Sequence, residues 1–153
     1  MNNFTGWQGK WKIIVMENGR IIEETEIKNR IMDVALDELL KSLQGVSPDL
    51  EIKYMALGTS NTAVTNTQTQ LDTEIFRTAP VSQAVTGTGE LTTGFIVLDT
   101  ESVGLIEEIG IFGGSLASVS ANSGTLISRI LWSRNKTASE EIQFTRIDRM
   151  IRG

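Results

Sequence analysis

The second half of the sequence is a series of short apolar runs separated by small and polar residues. The runs occupy residues 71–77, 81–85, 90–98, 105–112, 126–132 and 141–151. This spacing predicts antiparallel strands of a sandwich or barrel and not alternating strands and helices. In the last run, Ile142, Phe144 and Arg146 fall on one face of the predicted strand.

A hairpin is predicted near the start of the chain. The β-branched and apolar run 11–16 is followed by Glu17-Asn18-Gly19-Arg20, and the extended pattern resumes over residues 21–27. Asn-Gly between two such runs is a strong hairpin signal, because a type I′ turn needs positive φ at both central residues.

The period changes after the hairpin, and an amphipathic helix is predicted over residues 29–44. Asn29 is the expected N-cap, Gly45 the expected residue just past the C-terminus, and Pro48 prevents continuation. The predicted buried stripe consists of Ile31, Met32, Leu36, Leu39, Leu40 and Leu43.

Together these segments predict a mainly β (α+β) fold: an antiparallel β-sandwich-like domain with one amphipathic helix near residues 29–44. The 153 residues, of which 40% are hydrophobic, suffice for one core. We therefore expect a single domain, 1–153, with the hairpin and helix in residues 10–45 and a β-rich body in residues 50–153.

Composition excludes several classes of function. Cysteine and histidine are both absent, which removes thiolate nucleophiles, serine triads and the usual zinc sites. A net charge of −5 and a pI near 4.8 disfavour binding to nucleic acid. No run approaches the roughly 18 to 20 apolar residues of a membrane helix, and the N-terminus lacks the pattern of a secretion signal. We expect a soluble chain that is made in the cytoplasm and has no membrane partner.

Carboxylates are the remaining groups with catalytic potential. Asp99, Glu101, Glu107 and Glu108 lie close together in the sequence and could serve a glycosidase or bind calcium. Acidic residues that flank strands usually form a solvated face or protect an edge, so we expect no enzyme activity. No glycine cluster has phosphate-loop spacing, so no cofactor is expected.

The aromatic and basic residues each allow two interpretations. Trp7, Trp11 and Trp132 could form a stacking platform for sugar rings, but core packing or subunit contact is favoured for at least two of them. The basic residues near the end of the chain fit either electrostatic matching between subunits or a solvated face. They are Arg129, Arg134, Lys136, Arg146, Arg149 and Arg152.

Two segments are rich in small polar residues. The stretch 58–69 contains mostly Thr, Asn, Ser and Gln, and it is predicted to be an exposed, solvated connector. The stretch 115–123 is either a second exposed loop or a weak strand.

Several short motifs together resemble a known pattern. They are Tyr-Met-Ala-Leu-Gly-Thr at 54–59, Thr-Ala-Val at 62–64, Thr-Gln-Leu-Asp-Thr-Glu-Ile-Phe-Arg at 69–77, Glu-Glu-Ile-Gly-Ile-Phe-Gly at 107–113 and Gly-Thr-Leu-Ile-Ser-Arg-Ile at 124–130. In this order they resemble tail, tail-fibre and baseplate-associated proteins of tailed bacteriophages. The resemblance covers about half of the chain.

The resemblance implies a non-catalytic virion component, made in the host cytoplasm, that assembles as a homo-oligomer. Its expected partners are other virion proteins and copies of itself. The shared motif also suggests an ion pair between Glu74 and Arg77. Two alternatives remain: a capsid decoration or head-fibre protein, and a carbohydrate-binding module that recognises host surface glycans through the tryptophans and the Thr-rich loops.

Overall fold

The computed structural model describes residues 6–152, which form nine strands and one helix. In chain order these are β1 (Gly6–Glu17), β2 (Arg20–Ile31), α1 (Asp33–Leu40), β3 (Ile52–Gly58), β4 (Glu74–Thr78), β5 (Ser82–Gly87), β6 (Glu90–Val97), β7 (Gly104–Gly113), β8 (Thr125–Lys136) and β9 (Glu140–Ile151). Every strand pairing is antiparallel. The mainly β, sandwich-like fold class predicted from the apolar runs is confirmed.

The sheet order is β4-β3-β7-β8-β2-β1-β9-β6-β5. The link between β8 and β2 is short, since only Arg30 pairs with Arg129 and Ile31 with Ser128. The strands on either side of this link form two layers whose inner faces share one apolar core. Because β1 pairs with both β2 and β9, the N-terminal hairpin is an integral part of the sheet.

The predicted hairpin is present and is longer than the two apolar runs. Asn18 and Gly19 have φ values of 50° and 76°, as a type I′ turn requires. Alternate residues of β1, from Trp11 to Val15, are fully buried, while Lys10 and Lys12 lie on the other face. The period of two in the sequence therefore determines which face of the hairpin enters the core.

The helix differs from the prediction in its bounds. It covers Asp33–Leu40, whereas residues 29–31 continue strand β2 and pair with β1 and β8. Asn29 is consequently not the N-cap; Met32 takes that position, in an extended conformation and without a side-chain capping bond. Tertiary strand pairing outweighed the local helical pattern at this end. Gly45 has the expected positive φ of 77°.

The predicted buried stripe of the helix is largely wrong. Of its six residues only Met32 is fully buried, and Ile31 and Leu39 are partly buried. Leu36, Leu40 and Leu43 are exposed by 39%, 54% and 85%. A helix of two turns that starts four residues late presents a different, narrower face, and Ala35 is its one buried residue.

Candidate functional site: two loops held by buried ion pairs

A buried ion pair lies on the outer face of the layer that contains β7 and β8. Glu108 of β7 and Arg129 of β8 have no exposed surface, and Arg129 Nε donates to Glu108 Oε2 at 2.8 Å. The register places Arg129 opposite Gly110, one step along the same face from Glu108. A charged pair in this position must be covered and fully hydrogen-bonded to be tolerated.

The cover is residues 59–73, which we call the 59–73 loop. Arg129 Nη1 donates to the Thr62 carbonyl at 2.9 Å, and Arg129 Nη2 donates to Thr62 Oγ1 at 3.2 Å. Glu108 in turn accepts the backbone N–H groups of Thr73 at 2.8 Å and Asp72 at 3.3 Å. The loop therefore supplies the hydrogen bonds that the pair needs, and the pair fixes the backbone of the loop at both ends.

Glycine makes this close approach possible. A Cβ atom on Gly58 would lie 2.2 Å from Glu108 Oε1 and 2.5 Å from the Thr73 carbonyl oxygen. On the neighbouring strand, a Cβ atom on Gly110 would lie 2.8 Å from Leu71 Cδ2. Leu71 is fully buried in a small cluster on this outer face. The loop is thus anchored by apolar packing as well as by the ion pair.

The predicted ion pair between Glu74 and Arg77 is present on β4. Arg77 Nε donates to Glu74 Oε2 at 2.7 Å and Arg77 Nη2 donates to Glu74 Oε1 at 2.8 Å, and the two side chains are only 4% and 2% exposed. The guanidinium carbon also lies 4.5 Å from the ring centroid of Phe112 and 5.4 Å from that of Tyr54. The pair is bidentate and stacked on aromatic rings, so a lysine could not replace the arginine.

This second pair anchors residues 114–124, which we call the 114–124 loop. Arg77 Nη1 donates to the carbonyl oxygens of Ser118 at 2.9 Å and Ser123 at 3.1 Å. Glu74 Oε1 accepts the backbone N–H of Asn122 at 3.0 Å. The segment left open between loop and weak strand is therefore a loop. Both polar segments expose many side chains, but buried charged groups hold their backbones. A simple solvated connector would lack this anchoring.

Three of the four carboxylates considered for catalysis make structural contacts. Glu108 is bound to Arg129, Glu101 Oε1 accepts the backbone N–H of Leu98 at 2.9 Å, and Asp99 Oδ1 accepts that of Thr100 at 2.9 Å. Within residues 6–152, no group of three or more acidic, histidine or cysteine side chains could hold a metal ion. These contacts fasten strands and turns.

Two of the three tryptophans lie in the core, as favoured above. Trp11 and Trp132 are 0% and 7% exposed, and both pack edge-on against Phe144, with ring centroids 6.1 Å and 6.0 Å apart. Trp7 is partly buried, and its indole N–H donates to Asp148 Oδ1 at 2.8 Å. The three side chains therefore do not form a common exposed platform for a sugar.

An inner polar cluster was missed in the sequence. Arg146 is fully buried between the layers, where its Nη2 and Nε donate to Asp148 Oδ1 at 2.8 Å and 3.1 Å and its Nη1 donates to Ser128 Oγ at 2.5 Å. Asp148 Oδ2, Asn29 Oδ1 and Trp11 Nε1 are buried without a hydrogen-bond partner among the described residues. The sequence did contain a signal for the burial of Arg146, because strand alternation places it on the same face as Ile142 and Phe144.

The six basic residues near the end of the chain do not form one exposed surface, because three of them are buried. Arg129, Arg146 and Lys136 are buried, and Arg149 pairs with Glu90 at 2.7 Å. Burial lowers the pKa of Lys136, whose Nζ donates to the Asp99 carbonyl at 2.8 Å. Both the subunit-matching interpretation and the solvated-face interpretation are therefore wrong for the buried members of this set.

The strand end near Lys136 carries a further ion pair. Arg134 contacts Glu140 across the β8–β9 turn and also pairs with Glu23 at 2.7 Å. The hydrogen bond from Arg134 lowers the pKa of Glu140, and the backbone N–H of Thr137 contributes in the same direction. Glu140 is therefore a fixed anion that stabilises the turn.

The geometry defines a class of protein: an antiparallel, sandwich-like β fold whose polar loops are fastened by buried arginine–glutamate pairs. No protein-family model, curated protein or solved structure matches this chain. In the described part of the chain, no helix has the length and apolar character needed to cross a membrane.

Proposed function

We propose that this chain is a non-catalytic structural component of a bacteriophage virion, associated with the tail, baseplate or tail fibre and assembling as a homo-oligomer. The observation that carries the proposal is the convergence of the motifs that resemble phage tail proteins. Thr62 and Arg129 belong to different motifs 67 residues apart, yet they are hydrogen-bonded in one cluster with Glu108. Residues from separate motifs therefore hold the 59–73 loop in place together.

The chemistry of that cluster supports a structural role. Its charged groups are paired, hydrogen-bonded to backbone and buried, so they are occupied in holding loops. Loops fixed in this way present the same shape in every copy, and a repeating assembly requires this of its subunits.

Labelling of particles tests the role directly. Antibodies raised against the purified protein should bind intact virions of the encoding phage at the tail or its tip in negative-stain images, whereas pre-immune serum should not. Label spread over the capsid would support the decoration or head-fibre alternative. Particles that carry no label, and that lack the protein by mass spectrometry, would contradict both virion roles.

Oligomeric state in solution tests the second part of the proposal. Size-exclusion chromatography with light scattering should give a multimer at micromolar concentration. A strict monomer that joins no particle would contradict a homo-oligomeric structural role.

A carbohydrate-binding module is the second candidate, and the exposed Ser, Thr and Asn side chains of the two anchored loops favour it. Because Trp11 and Trp132 are in the core, recognition would depend mainly on polar contacts from the loops. A glycan array printed at a density that allows avidity tests this function. Selective signal that is lost on replacing Asn122 with alanine would support it, and an array without signal would exclude it for the glycans tested.

A further inference from the structure

Strand β5 is an edge strand with an exposed backbone. It ends the sheet order, and within residues 6–152 it pairs only with β6. All six of its residues, Ser82–Gly87, are exposed. One side of this strand therefore presents N–H and C=O groups that another strand could pair with.

The strand lacks two of the features with which proteins usually block such an edge, and its register irregularity is confined to its end, between Val85 and Gly87. Its sequence, Ser-Gln-Ala-Val-Thr-Gly, contains no charged residue and no proline. The opposite edge strand, β4, differs: its Glu74 and Arg77 are tied to the 114–124 loop. The two edges of the same sheet are therefore not equivalent, and β5 is the less protected edge.

An apolar surface continues from the inner face of β5. Val85 is 78% exposed, and Val81, just before the strand, is 62% exposed. Val85 also lines a groove of about 480 Å³ together with Leu39, Leu50 and Met150. A strand added at β5 would extend the layer and place further apolar side chains next to this groove.

We propose that β5 pairs antiparallel with β5 of a second copy of this chain, centred on Ala84, and joins two five-stranded layers into one continuous sheet. Twofold antiparallel pairing centred on Ala84 sets Ala84 opposite its own copy and Gln83 opposite Val85 of the other copy, so a charge at the centre would face the same charge. The strand must therefore be uncharged at its centre and carry no charge beside it that the second copy leaves unpaired. The uncharged sequence 81–88 meets that condition, and the exposed valines of both copies then lie on one face. The inference deepens the proposed function, since that role requires copies of the chain to associate.

Cysteine cross-linking tests the pairing and its register. The chain contains no cysteine, so Ala84→Cys introduces a single thiol that would lie opposite its twofold copy, within roughly 4.5–5.5 Å between Cβ atoms. Mild oxidation or a short bis-maleimide should convert this variant to a covalent dimer. Ala138→Cys is the matched control: the same substitution at an exposed position in the β8–β9 turn should leave the chain monomeric on a denaturing gel.

A charge substitution tests the energetic consequence. Ala84→Lys sets two lysines opposite each other and should raise the dimer dissociation constant about five-fold or more, while Ala138→Lys should not change it. Light scattering across a concentration series measures both. At concentrations below the dimer dissociation constant, the urea midpoints of both variants should equal that of the unmodified chain, because both positions are exposed; an unchanged midpoint there assigns the effect to association.

The outcomes separate this inference from the proposed function. A multimer in which Ala84→Cys does not cross-link, or which Ala84→Lys does not weaken, overturns the β5 pairing and leaves the virion role to another surface. Cross-linking that appears only when Ala84→Cys is mixed with Ile75→Cys on β4 also overturns it, in favour of head-to-tail contact. Label absent from virions, with the β5 dimer intact, overturns the function alone.

Discussion

The outer faces of the two layers carry the same kind of contact in different surroundings. On the β7–β8 side, Glu108 and Arg129 are fully buried beneath the 59–73 loop. On the β1–β2 side, Lys12 and Glu24 lie 3.0 Å apart but are 42% and 48% exposed. The first pair is enclosed by backbone hydrogen bonds, and the second is open to water and salt.

The difference teaches what an ion pair contributes in each place. An exposed pair gains little, because water solvates both charges nearly as well when they are apart. A buried pair gains little over apolar packing but becomes costly to break, because the remaining charge is left without a partner. The outer face of β7–β8 is therefore a region where single substitutions should have large effects, and the outer face of β1–β2 is not.

The largest effect is expected for Glu108→Gln. Removing this charge leaves the Arg129 guanidinium buried without a counter-charge and should lower the free energy of unfolding by about 3–5 kcal/mol. Urea unfolding followed by tryptophan fluorescence measures it. Glu107→Gln, at the neighbouring and partly exposed position, is the control and should change stability by less than about 0.5 kcal/mol. Equal effects of the two substitutions would contradict the distinction between the faces.

The Glu74–Arg77 pair should show the next largest effect. Glu74→Gln and Arg77→Met should each cost about 2–3 kcal/mol, because each leaves a buried charged group and loop carbonyl or amide groups unpaired. The double variant should cost less than the sum, with a coupling energy of about 1–3 kcal/mol. Amide hydrogen exchange of Asn122 should accelerate in both single variants. If the losses of unfolding free energy in the two single variants add up to that of the double variant, Glu74 and Arg77 do not interact directly.

Much of the fold was predictable, because it follows from local patterns. The Asn18-Gly19 turn and the alternation of apolar residues in the strands depend on neighbouring residues alone. The end of β2 was not predictable in this way, since Asn29 extends the strand only because β1 lies beside it. Local propensity favoured a helix there, and pairing across the sheet outweighed it.

The site was predictable only where its residues are close in sequence. Glu74 and Arg77 lie three positions apart, and their pairing was expected from one motif. The contact between Glu108 and Arg129 joins two strands whose register no local pattern specifies. A polar stretch such as the 59–73 loop looks the same in sequence whether its backbone is solvated or anchored, so its attachment to Arg129 could not be read from composition.

A smaller effect is expected where the loop backbone touches the strand. Gly58→Ala brings a methyl group against Glu108 and the Thr73 carbonyl and should cost about 1–3 kcal/mol by overpacking. Gly87→Ala on the edge strand β5 is the matched control, since the nearest atom to its Cβ is 3.8 Å away; it should be neutral or stabilise slightly. If both glycines tolerate alanine equally, the close approach of the 59–73 loop is not required for stability.

The smallest effect is expected for the exposed pair on β1 and β2. A double-mutant cycle with Lys12→Ala and Glu24→Ala should give a coupling energy of about 0.2–1 kcal/mol. This coupling should fall further in 1 M NaCl, where the screening length is about 3 Å, whereas that of Glu74 and Arg77 should largely persist because burial excludes the salt. Unfolding curves for both cycles at low and high salt provide the measurement. A salt-insensitive coupling of more than 1 kcal/mol between Lys12 and Glu24 would mean that burial does not decide what these pairs contribute, and the contrast between the two faces would no longer hold.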